Sequence, residues 1–223
     1  MVDLSKISLF NSLTPSEIKE ITPYIIPFSV RKKEVIFSEG DPSDWFYIVL
    51  DGKVKITKLS MDGKEIILEI IPPLDFFGGL AVIKGFPYPA NAVAMEDSQL
   101  LKISRSNLMR ILDRFPNLMY CMALQLGDRI KESHETLKNI ALERVEARIA
   151  SLLLKLADKI GKETEDGILI DMKLTKQDIA EMVGTTVETS IRTMSKFKKL
   201  GIVSEREGRI IIKNIQKLKS ICY

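Results

Sequence analysis

The chain of 223 residues has few of the side chains that build metal and redox chemistry. It contains two cysteines, Cys121 and Cys222, and a single histidine, His134. Two isolated thiols cannot supply a disulfide framework, and no Cys/His spacing suits a structural zinc ion. One histidine without a nucleophile motif also offers no catalytic triad. We therefore expect a protein that is not an enzyme and that has no certain metal site.

Long apolar runs are missing as well. No stretch approaches the roughly eighteen uncharged apolar residues of a membrane-spanning helix. The first residues, MVDLSKISLF, lack the basic flank and apolar core of a secretion signal. These absences predict a cytoplasmic protein without a membrane partner. Hydrophobic residues make up 45% and charged residues 28%, which is the balance of a folded globular protein.

The net charge of +3 is unevenly distributed. From Asp171 to the end, eleven Lys or Arg residues face six acids, so this segment carries +5 and the remainder −2. Basic character is therefore concentrated near the C-terminus. An anionic partner is expected to bind there.

The first part of the chain, residues 1–115, has the pattern of a β-roll. Thr14 and Glu17 form a capping box for a short helix. From about residue 24 to 104, short β-rich runs alternate with turn residues, including the Asp51-Gly52 and Asp62-Gly63 pairs that are typical of tight hairpins. Closely spaced strands of this kind predict an antiparallel roll or barrel.

The second part, residues 116–140, predicts one long helix. Apolar and small residues recur along it at intervals of four and three, which is a heptad pattern. The pattern fits either a helix packed on its own domain or a two-stranded coiled coil between two identical chains, and we expect the coiled coil. Its predicted seam is Met119, Ala123, Leu126, Ile130, Ser133, Leu137 and Ile140.

The third part, residues 141–223, predicts a winged helix-turn-helix. An amphipathic helix ends at Gly161 and is followed by a glycine- and acid-rich loop. Thr175 and Asp178 then cap a helix that Gly184 ends. A second helix, capped by Thr185 or Thr186, runs to Gly201, and a hairpin turns at Gly208.

The second helix of this motif carries the candidate base contacts. In such motifs its first turns enter the major groove of DNA, while its flanks meet phosphates. Glu188 and Arg192 are four residues apart and share a face, so they can read cytosine and guanine, or form an intrahelical ion pair instead. Thr186, Thr189 and the trailing lysines, Lys196 among them, suit phosphate contacts.

With this order of parts, nearly the whole chain resembles the CRP/FNR family of transcription regulators. The run LTKQDIAEMVGTTVETSIR is similar to the DNA-binding signature of the family, and VET..R is similar to its FNR branch. The resemblance implies an α+β fold with a β-roll sensor, a long dimerisation helix and a winged helix-turn-helix. It also implies a homodimer on a pseudo-palindromic operator in double-stranded DNA, with RNA polymerase as a further expected partner.

The resemblance assigns roles to individual residues. Glu188 and Arg192 are expected to read bases, whereas Lys176, Thr186, Thr189, Gly208 and Arg209 are expected to hold the DNA backbone. Ile191 stands where the FNR branch usually has serine, so Val187 and Ile191 are expected to meet a thymine methyl group instead.

The sensor differs from the cyclic-nucleotide pattern of that family. The matching stretch is FFGGLAVIKGFPYPANAVA, where Gly79 replaces the ribose-binding glutamate and Tyr88-Pro89 replace the phosphate-binding arginine and hydroxyl. Without the arginine, a buried phosphate has no countercharge. We therefore expect an effector other than cyclic AMP. An FNR-type iron-sulfur cluster is also excluded, because it needs four thiolates.

The run PYPANA is similar to nitrosative-stress and denitrification regulators, some of which bind haem. By the same resemblance, Ser133 and His134 stand where cyclic-nucleotide sensors contact their ligand from the dimer helix. His134 is therefore either a candidate haem ligand or a solvated residue beside the seam. The candidate effector pocket comprises Gly78, Gly79, Leu80, Tyr88, Pro89, Ala90, Ser133 and His134. The cofactor itself stays unknown, with haem as a candidate.

Overall fold

The computed structural model describes residues 4–222. The chain divides into two compact units, one of residues up to 130 and one from residue 131 onward. Helices and strands contribute to both units, which confirms the expected α+β class. Within the described part of the chain, no helix has the length and apolar character needed to cross a bilayer.

The first unit is built on eight antiparallel strands in two four-stranded sheets, which confirms the predicted β-roll. The strand orders are β1-β8-β3-β6 and β2-β7-β4-β5. The strands are β1 (Ile26–Val30), β2 (Val35–Phe37), β3 (Trp45–Asp51), β4 (Val54–Leu59), β5 (Glu65–Ile71), β6 (Phe76–Phe77), β7 (Asn91–Ala94) and β8 (Ser98–Ser104).

Short helices complete this unit at both ends of the strand-rich segment. They are α1 (Pro15–Ile21), α2 (Gly79–Lys84) and α3 (Arg105–Arg114), together with 3₁₀ turns at Leu4–Lys6, Ser8–Phe10 and Thr22–Tyr24. The predicted capping box of α1 is present, since Thr14 accepts from the Glu17 backbone and Glu17 accepts from the Thr14 backbone. The local sequence therefore defines where this helix begins.

Glycines at two hairpin turns of the roll adopt the backbone conformation that the sequence predicts. Gly52 and Gly63 have φ values of 81° and 77°. Gly52 is also sterically required, because a Cβ built there would lie 2.1 Å from Oγ of Ser98.

Strand β3 crosses the core and has both of its faces buried. Phe46 packs against Phe76 on one face, with ring centroids 5.3 Å apart. On the other face Tyr47 packs between Phe37 of the opposite sheet, at 5.7 Å, and Phe77, at 5.1 Å. The interior between the two sheets is therefore aromatic.

The long helix α4 (Asn117–Leu142) has 26 residues and begins directly after Pro116. Leu118 and Met122 are buried and belong to the core of the first unit. The next helix, α5 (Val145–Ile160), begins after Arg144, whose backbone is extended at φ −69° and ψ 155°. The chain direction therefore changes at residues 143–144.

The second unit contains a four-stranded antiparallel sheet of order β11-β12-β10-β9 and four further helices or helical turns. After α5 its elements are β9 (Gly161–Thr164), β10 (Gly167–Lys173), α6 (Lys176–Val183), α7 (Val187–Lys199), β11 (Val203–Arg206), β12 (Arg209–Ile212) and α8 (Ile215–Lys219). The prediction of a loop after Gly161 was wrong for residues 161–164. They form an edge strand. Its exposed residues, such as Glu163, are polar, so the sequence lacks the apolar residues that would predict a strand.

Candidate nucleic-acid interface and effector site

Helices α6 and α7 are joined by a turn whose two ends are fixed by local chemistry. Thr175 caps α6 through a capping box with Asp178, as the sequence predicts. Gly184 ends α6 in the left-handed conformation, at φ 64°. Thr186, rather than Thr185, caps α7, since its Oγ1 accepts from the Thr189 backbone N–H at 3.3 Å. The two helices thus form the predicted helix-turn-helix.

One face of α7 is buried and the opposite face is exposed. The buried residues are Ser190, Thr193, Met194 and Phe197. The exposed residues Glu188, Ile191, Arg192 and Ser195 are spaced by three or four positions, so they form a single stripe. Ile191 is 51% exposed, although its side chain is large and apolar. This stripe is the exposed part of the motif that can contact a groove of DNA.

Glu188 and Arg192 both lie on the stripe, and their side chains do not form an ion pair with each other. Arg192 directs Nη2 to Oγ1 of Thr189, at 3.5 Å, rather than to Glu188. A hydrogen bond from the backbone N–H of Glu188 itself, followed by one from Thr186, lowers the pKa of the Glu188 carboxyl. Glu188 therefore presents a carboxylate beside a guanidinium.

Three other predicted contact residues flank the beginning of this stripe. Val187 and Thr189 are half-buried, and Thr186 is exposed. The Thr186 hydroxyl is already engaged as the helix cap and lies 3.1 Å from Oγ1 of Thr189. A phosphate at this position would share these hydroxyls with the cap.

The predicted backbone-binding lysines are ion-paired with acids of the same unit. Both Lys176 on α6 and Lys198 on α7 contact the carboxylate of Glu205 on β11, with Lys198 Nζ 2.6 Å from Glu205 Oε2. Burial opposes ionisation of Glu205, but the hydrogen bonds and charges of the two lysines outweigh it and lower the pKa of the carboxyl. Sequence patterns missed Glu205, because its partners are distant along the chain.

Lys196 has a different acidic partner. Its Nζ lies 2.8 and 2.7 Å from the two carboxylate oxygens of Glu146 on α5. Lys199, at the end of the same helix, has no acidic partner among residues 4–222. Of the lysines that follow the stripe on α7, Lys199 is therefore the one most available to an anion.

The wing turns where the sequence predicts. Glu207 and Gly208 have φ values of 53° and 78°, as a two-residue hairpin turn of type I′ requires. The Gly208 carbonyl accepts from the Leu174 backbone N–H at 3.1 Å. Arg209 is half-buried and directs Nη2 to Oδ1 of Asp171 at 3.7 Å.

Arg148 connects the C-terminal end of α4 to the C-terminal end of α6, where the turn of the helix-turn-helix begins. Its Nη1 donates to the carbonyl of Ile140, near the end of α4, at 3.2 Å, and its Nη2 donates to the carbonyl of Gly184 at 3.3 Å. The only signal for this bridge in the sequence is an arginine on the amphipathic helix.

The predicted effector residues of the first unit surround the start of α2. Gly78 has φ 78°, and Gly79 is buried. A Cβ built on Gly79 would lie 2.9 Å from Met122 Cε and 3.1 Å from the Phe46 ring, so a larger residue here requires these two side chains to shift. Leu80 is 49% exposed.

Tyr88 lies in the aromatic interior of the roll. Its ring stacks on Phe37 with centroids 3.7 Å apart, and its hydroxyl donates to the Trp45 carbonyl and accepts from the Trp45 N–H at 3.2 Å. Burial, followed by the neighbouring Tyr47, raises the pKa of Tyr88 far above its ordinary range. Ala90 is buried, whereas Pro89 is exposed. Both ends of the Tyr88 side chain are thus engaged within the protein.

Arg129 is a polar residue of the first unit that the sequence pattern did not single out. It lies on α4 within the first unit, where its Nε is 3.2 Å from Glu69 Oε1 and its Nη2 is 2.9 Å from Asp75 Oδ1. It shares the inward-facing side of the helix with Leu118 and Met122, at helical spacing. An arginine on an inward face is the signal that predicts such a half-buried ion-pair network.

The predicted dimer seam lies mostly on the surface of the chain. Met119, Ile130 and Leu137 are 40%, 57% and 64% exposed. Ala123, Ser133 and His134 are also exposed, and Leu126 is half-buried. The first part of α4 therefore packs one face on the first unit, while an apolar stripe along the helix is exposed.

Comparison with known proteins gives two family matches. Residues 27–115 match the cyclic nucleotide-binding domain, and residues 147–221 match the Crp-like helix-turn-helix domain. The CRP-like cAMP-activated global transcriptional regulator of Mycobacterium tuberculosis is 26% identical over 215 residues, 96% of each chain. The anaerobic regulatory protein of Bacillus subtilis is 28% identical over 185 residues, 82% of this chain and 78% of that protein.

Solved structures show the same architecture. A CooA mutant from Carboxydothermus hydrogenoformans is similar with a TM-score of 0.79 and 25% identity, over 100% of this chain and 98% of that one. FixK2 from Bradyrhizobium japonicum has a TM-score of 0.80 and 23% identity, over 89% and 98%. The order of roll, long helix and helix-turn-helix is therefore shared along the full chain.

Proposed function

We propose a function from the premise that this chain belongs to the CRP/FNR family of transcription regulators. In this proposal the protein works as a homodimer on a specific operator, and it responds to an effector other than cyclic AMP. Members of this family regulate transcription and are not enzymes. The observation that carries the proposal is the exposed stripe of Glu188, Ile191 and Arg192 on a helix whose other face is fixed in the core.

The stripe has the chemistry of direct base readout. A carboxylate accepts from the cytosine amino group, a guanidinium fits the two acceptors of guanine, and an exposed isoleucine fits the thymine methyl group. Each good polar contact discriminates against a wrong base by about 1–3 kcal/mol. Lys199 and the amide groups at the start of α7 are available to phosphates on either side.

The exposed apolar stripe on α4 supports a homodimer. Met119, Ile130 and Leu137 are too apolar to be left in water along one helix unless a partner covers them. A second copy would pair the same stripe by twofold symmetry and place two α7 helices about 34 Å apart, one turn of DNA. We therefore expect a pseudo-palindromic operator.

Selection of bound duplexes from a random pool tests this proposal. The full-length protein should enrich an inverted repeat with half-sites one helical turn apart, and it should sediment as a dimer. Enrichment of no sequence, or of a single asymmetric site by a monomer, would contradict the proposal. A transcription assay on a promoter that carries the selected operator, with purified RNA polymerase, would test polymerase as a partner and give the sign of regulation.

Two positions argue against cyclic AMP as the effector. The M. tuberculosis relative is cAMP-activated by name, but here Gly79 and Tyr88 stand at the positions where the family pattern places a glutamate and an arginine. The Tyr88 hydroxyl is bonded to Trp45, and Arg129 on α4 is bonded to Glu69 and Asp75. Titration calorimetry with cyclic AMP should give no heat of binding, and saturable binding at micromolar concentration would reverse this assignment.

Haem is one candidate effector, through His134. The imidazole is exposed on α4 and is therefore free to ligate an iron atom. Mixing the protein with haemin should shift the Soret band, and the shift should be lost in His134→Ala. The same spectrum in both proteins would remove His134 from this role.

We propose that the effect of effector binding is transmitted to the DNA-binding unit through the break between α4 and α5. Residues 143–144 interrupt the helices, and Arg148 bridges the end of α4 to the helix-turn-helix at Gly184. A shift of α4 caused by an effector would then move the DNA-reading helix. Equal operator affinity with and without every effector tested would count against this switch.

A regulator whose roll binds no effector is the second candidate. It is favoured by the engagement of Tyr88, whose ring stacks on Phe37 at 3.7 Å inside the roll. A cyclic-nucleotide-type sensor for an unusual ligand is a further alternative. Mass spectrometry of co-purified small molecules, followed by melting of the protein with each one, separates these cases, because a specific ligand raises the melting temperature.

A further inference from the structure

The carboxylate of Glu205 lies at a point where three elements of the winged helix-turn-helix meet. It extends from strand β11 and contacts Lys176 at the first position of α6 and Lys198 in the last turn of α7. The side chains of Lys176, Glu205 and Lys198 are 25%, 26% and 39% exposed, so all three are partly withdrawn from water. One carboxylate thus serves two ammonium groups.

This arrangement changes the charge that the motif offers to DNA. Lys176 and Lys198 together carry two positive charges, and Glu205 reduces the local total to one. Sequence-independent binding of DNA depends on the number of phosphates that free cations neutralise. A carboxylate already paired with both cations competes directly with phosphates for them.

We propose that Glu205 suppresses sequence-independent DNA binding by holding Lys176 and Lys198, so that recognition depends more on the exposed stripe of α7. This inference rests on the proposed function of the chain as a DNA-binding regulator. Glu205 is a specificity-determining residue that itself needs no contact with DNA. The unpaired Lys199 keeps its full attraction for phosphate, because no acid among the described residues holds it.

The test measures binding to a 30-base-pair duplex of arbitrary sequence by fluorescence anisotropy between 50 and 200 mM salt. In Glu205→Gln, one more positive charge per subunit is free. The plot of log affinity against log salt should therefore steepen by about 0.9 per subunit. Over this fourfold range of salt, the affinity ratio of variant to wild type should rise about 3.5-fold per subunit on going to the lower salt.

A second set of variants asks whether the lysines are the reason. Glu205→Gln should steepen the slope by about 0.9 per subunit in the wild type, but by clearly less in the Lys176→Ala/Lys198→Ala background, where neither lysine is left for the carboxylate to hold. Lys199→Ala is the matched control background, in which Glu205→Gln should keep its full effect. Glu207→Gln removes the same charge from the same hairpin but pairs with neither lysine, so it should leave the slope close to that of the wild type.

The outcomes separate the two proposals. If the wild type binds DNA but Glu205→Gln steepens the slope equally with and without the two lysines, Glu205 is a bystander and this inference is wrong, while the proposed function stands. If the wild type binds no duplex even at 50 mM salt, the proposed function fails and the inference with it. If Glu205→Gln does not fold, as judged by circular dichroism, the double variant Lys176→Ala/Lys198→Ala decides. It should flatten the slope of the wild type by about one unit per subunit, as much as Lys199→Ala alone, because only one of the two charges is free. An effect twice as large would overturn the inference.

Discussion

Replacing Tyr88 by phenylalanine removes one oxygen atom from the interior of the roll and nothing else. The stacked ring remains on Phe37, so no cavity is created. The lost hydroxyl serves both polar groups of the Trp45 backbone, since it donates to the carbonyl and accepts from the N–H. The change therefore removes these two hydrogen bonds, together with the interaction of the hydroxyl with Tyr47, and leaves the packing of the ring in place.

The expected cost follows from the burial of this site. A buried polar group that loses its partner costs about 1–3 kcal/mol. Tyr88 is 2% exposed and Trp45 is half-buried, so water reaches the vacated groups poorly. We expect the free energy of unfolding of the first unit to fall by about 2 kcal/mol. With an m value of about 2 kcal/mol/M, the urea midpoint should fall by about 1 M.

The chain supplies its own probe for this measurement. Trp45 is the single tryptophan of the sequence, so its fluorescence follows the unfolding of the first unit alone. Tyr24→Phe is the matched control, because the half-buried Tyr24 side chain forms no hydrogen bond within residues 4–222 and its variant should keep the wild-type midpoint. A Tyr88→Phe midpoint within about 0.2 M of the wild type, with the same m value, would refute the reasoning.

The same variant should alter the response to alkali. The pKa of Tyr88 and that of Tyr47 are both raised, mainly by burial, so the unfolded chain releases these protons first. Stability is therefore fully present below the ordinary tyrosine pKa of 10.0 and declines as the pH rises above it. Tyr88→Phe should weaken this decline, and an identical alkaline profile in both proteins would contradict the assigned burial.

Three further changes test the second unit and the dimer. Arg192→Ala should relax discrimination at one base pair per half-site by about 1–3 kcal/mol, measured by competition binding with operator variants. Lys199→Ala should instead weaken the binding of all sequences alike. Indistinguishable profiles of the two variants would contradict this division of roles. Thr186→Ala should cost the second unit about 1 kcal/mol in calorimetry, while Thr186→Ser keeps the cap, and equal losses would exclude the cap as the cause. Leu137→Lys should shift the sedimentation of the protein toward the monomer, unlike the control Lys138→Ala; a dimer that survives Leu137→Lys would place the interface elsewhere.

Features that depend on a few neighbouring residues were predictable from the sequence. Thr175 and Asp178 define the start of α6, Gly184 defines its end, and Gly208 defines the turn of the wing. Each is specified by backbone conformation or a local hydrogen bond, so a short sequence window contains the whole signal. The exposed stripe of α7 follows from the same helical spacing.

Features that depend on distant partners were not predictable. Glu205 lies 29 residues from Lys176 along the chain, and Glu146 lies 50 from Lys196. The lysines were correctly placed on the motif, but no local pattern indicates that acids already hold them. A count of positive charges therefore overstates the charge that this surface offers to phosphate, and only the folded arrangement shows which cation remains unpaired.

The β-roll differs from a cyclic-nucleotide site in its packing and not only in its side-chain chemistry. Restoring a glutamate at Gly79 would place a Cβ 2.9 Å from Met122, and an arginine at Tyr88 would leave the Trp45 backbone without its partner. Each residue of the family pattern would thus disturb a contact that the fold now uses. Because Met122 belongs to α4, the position that lacks the glutamate is also a packing contact with the long helix. An effector of this roll must therefore act on a site in which the aromatic core and the helix contact are already formed.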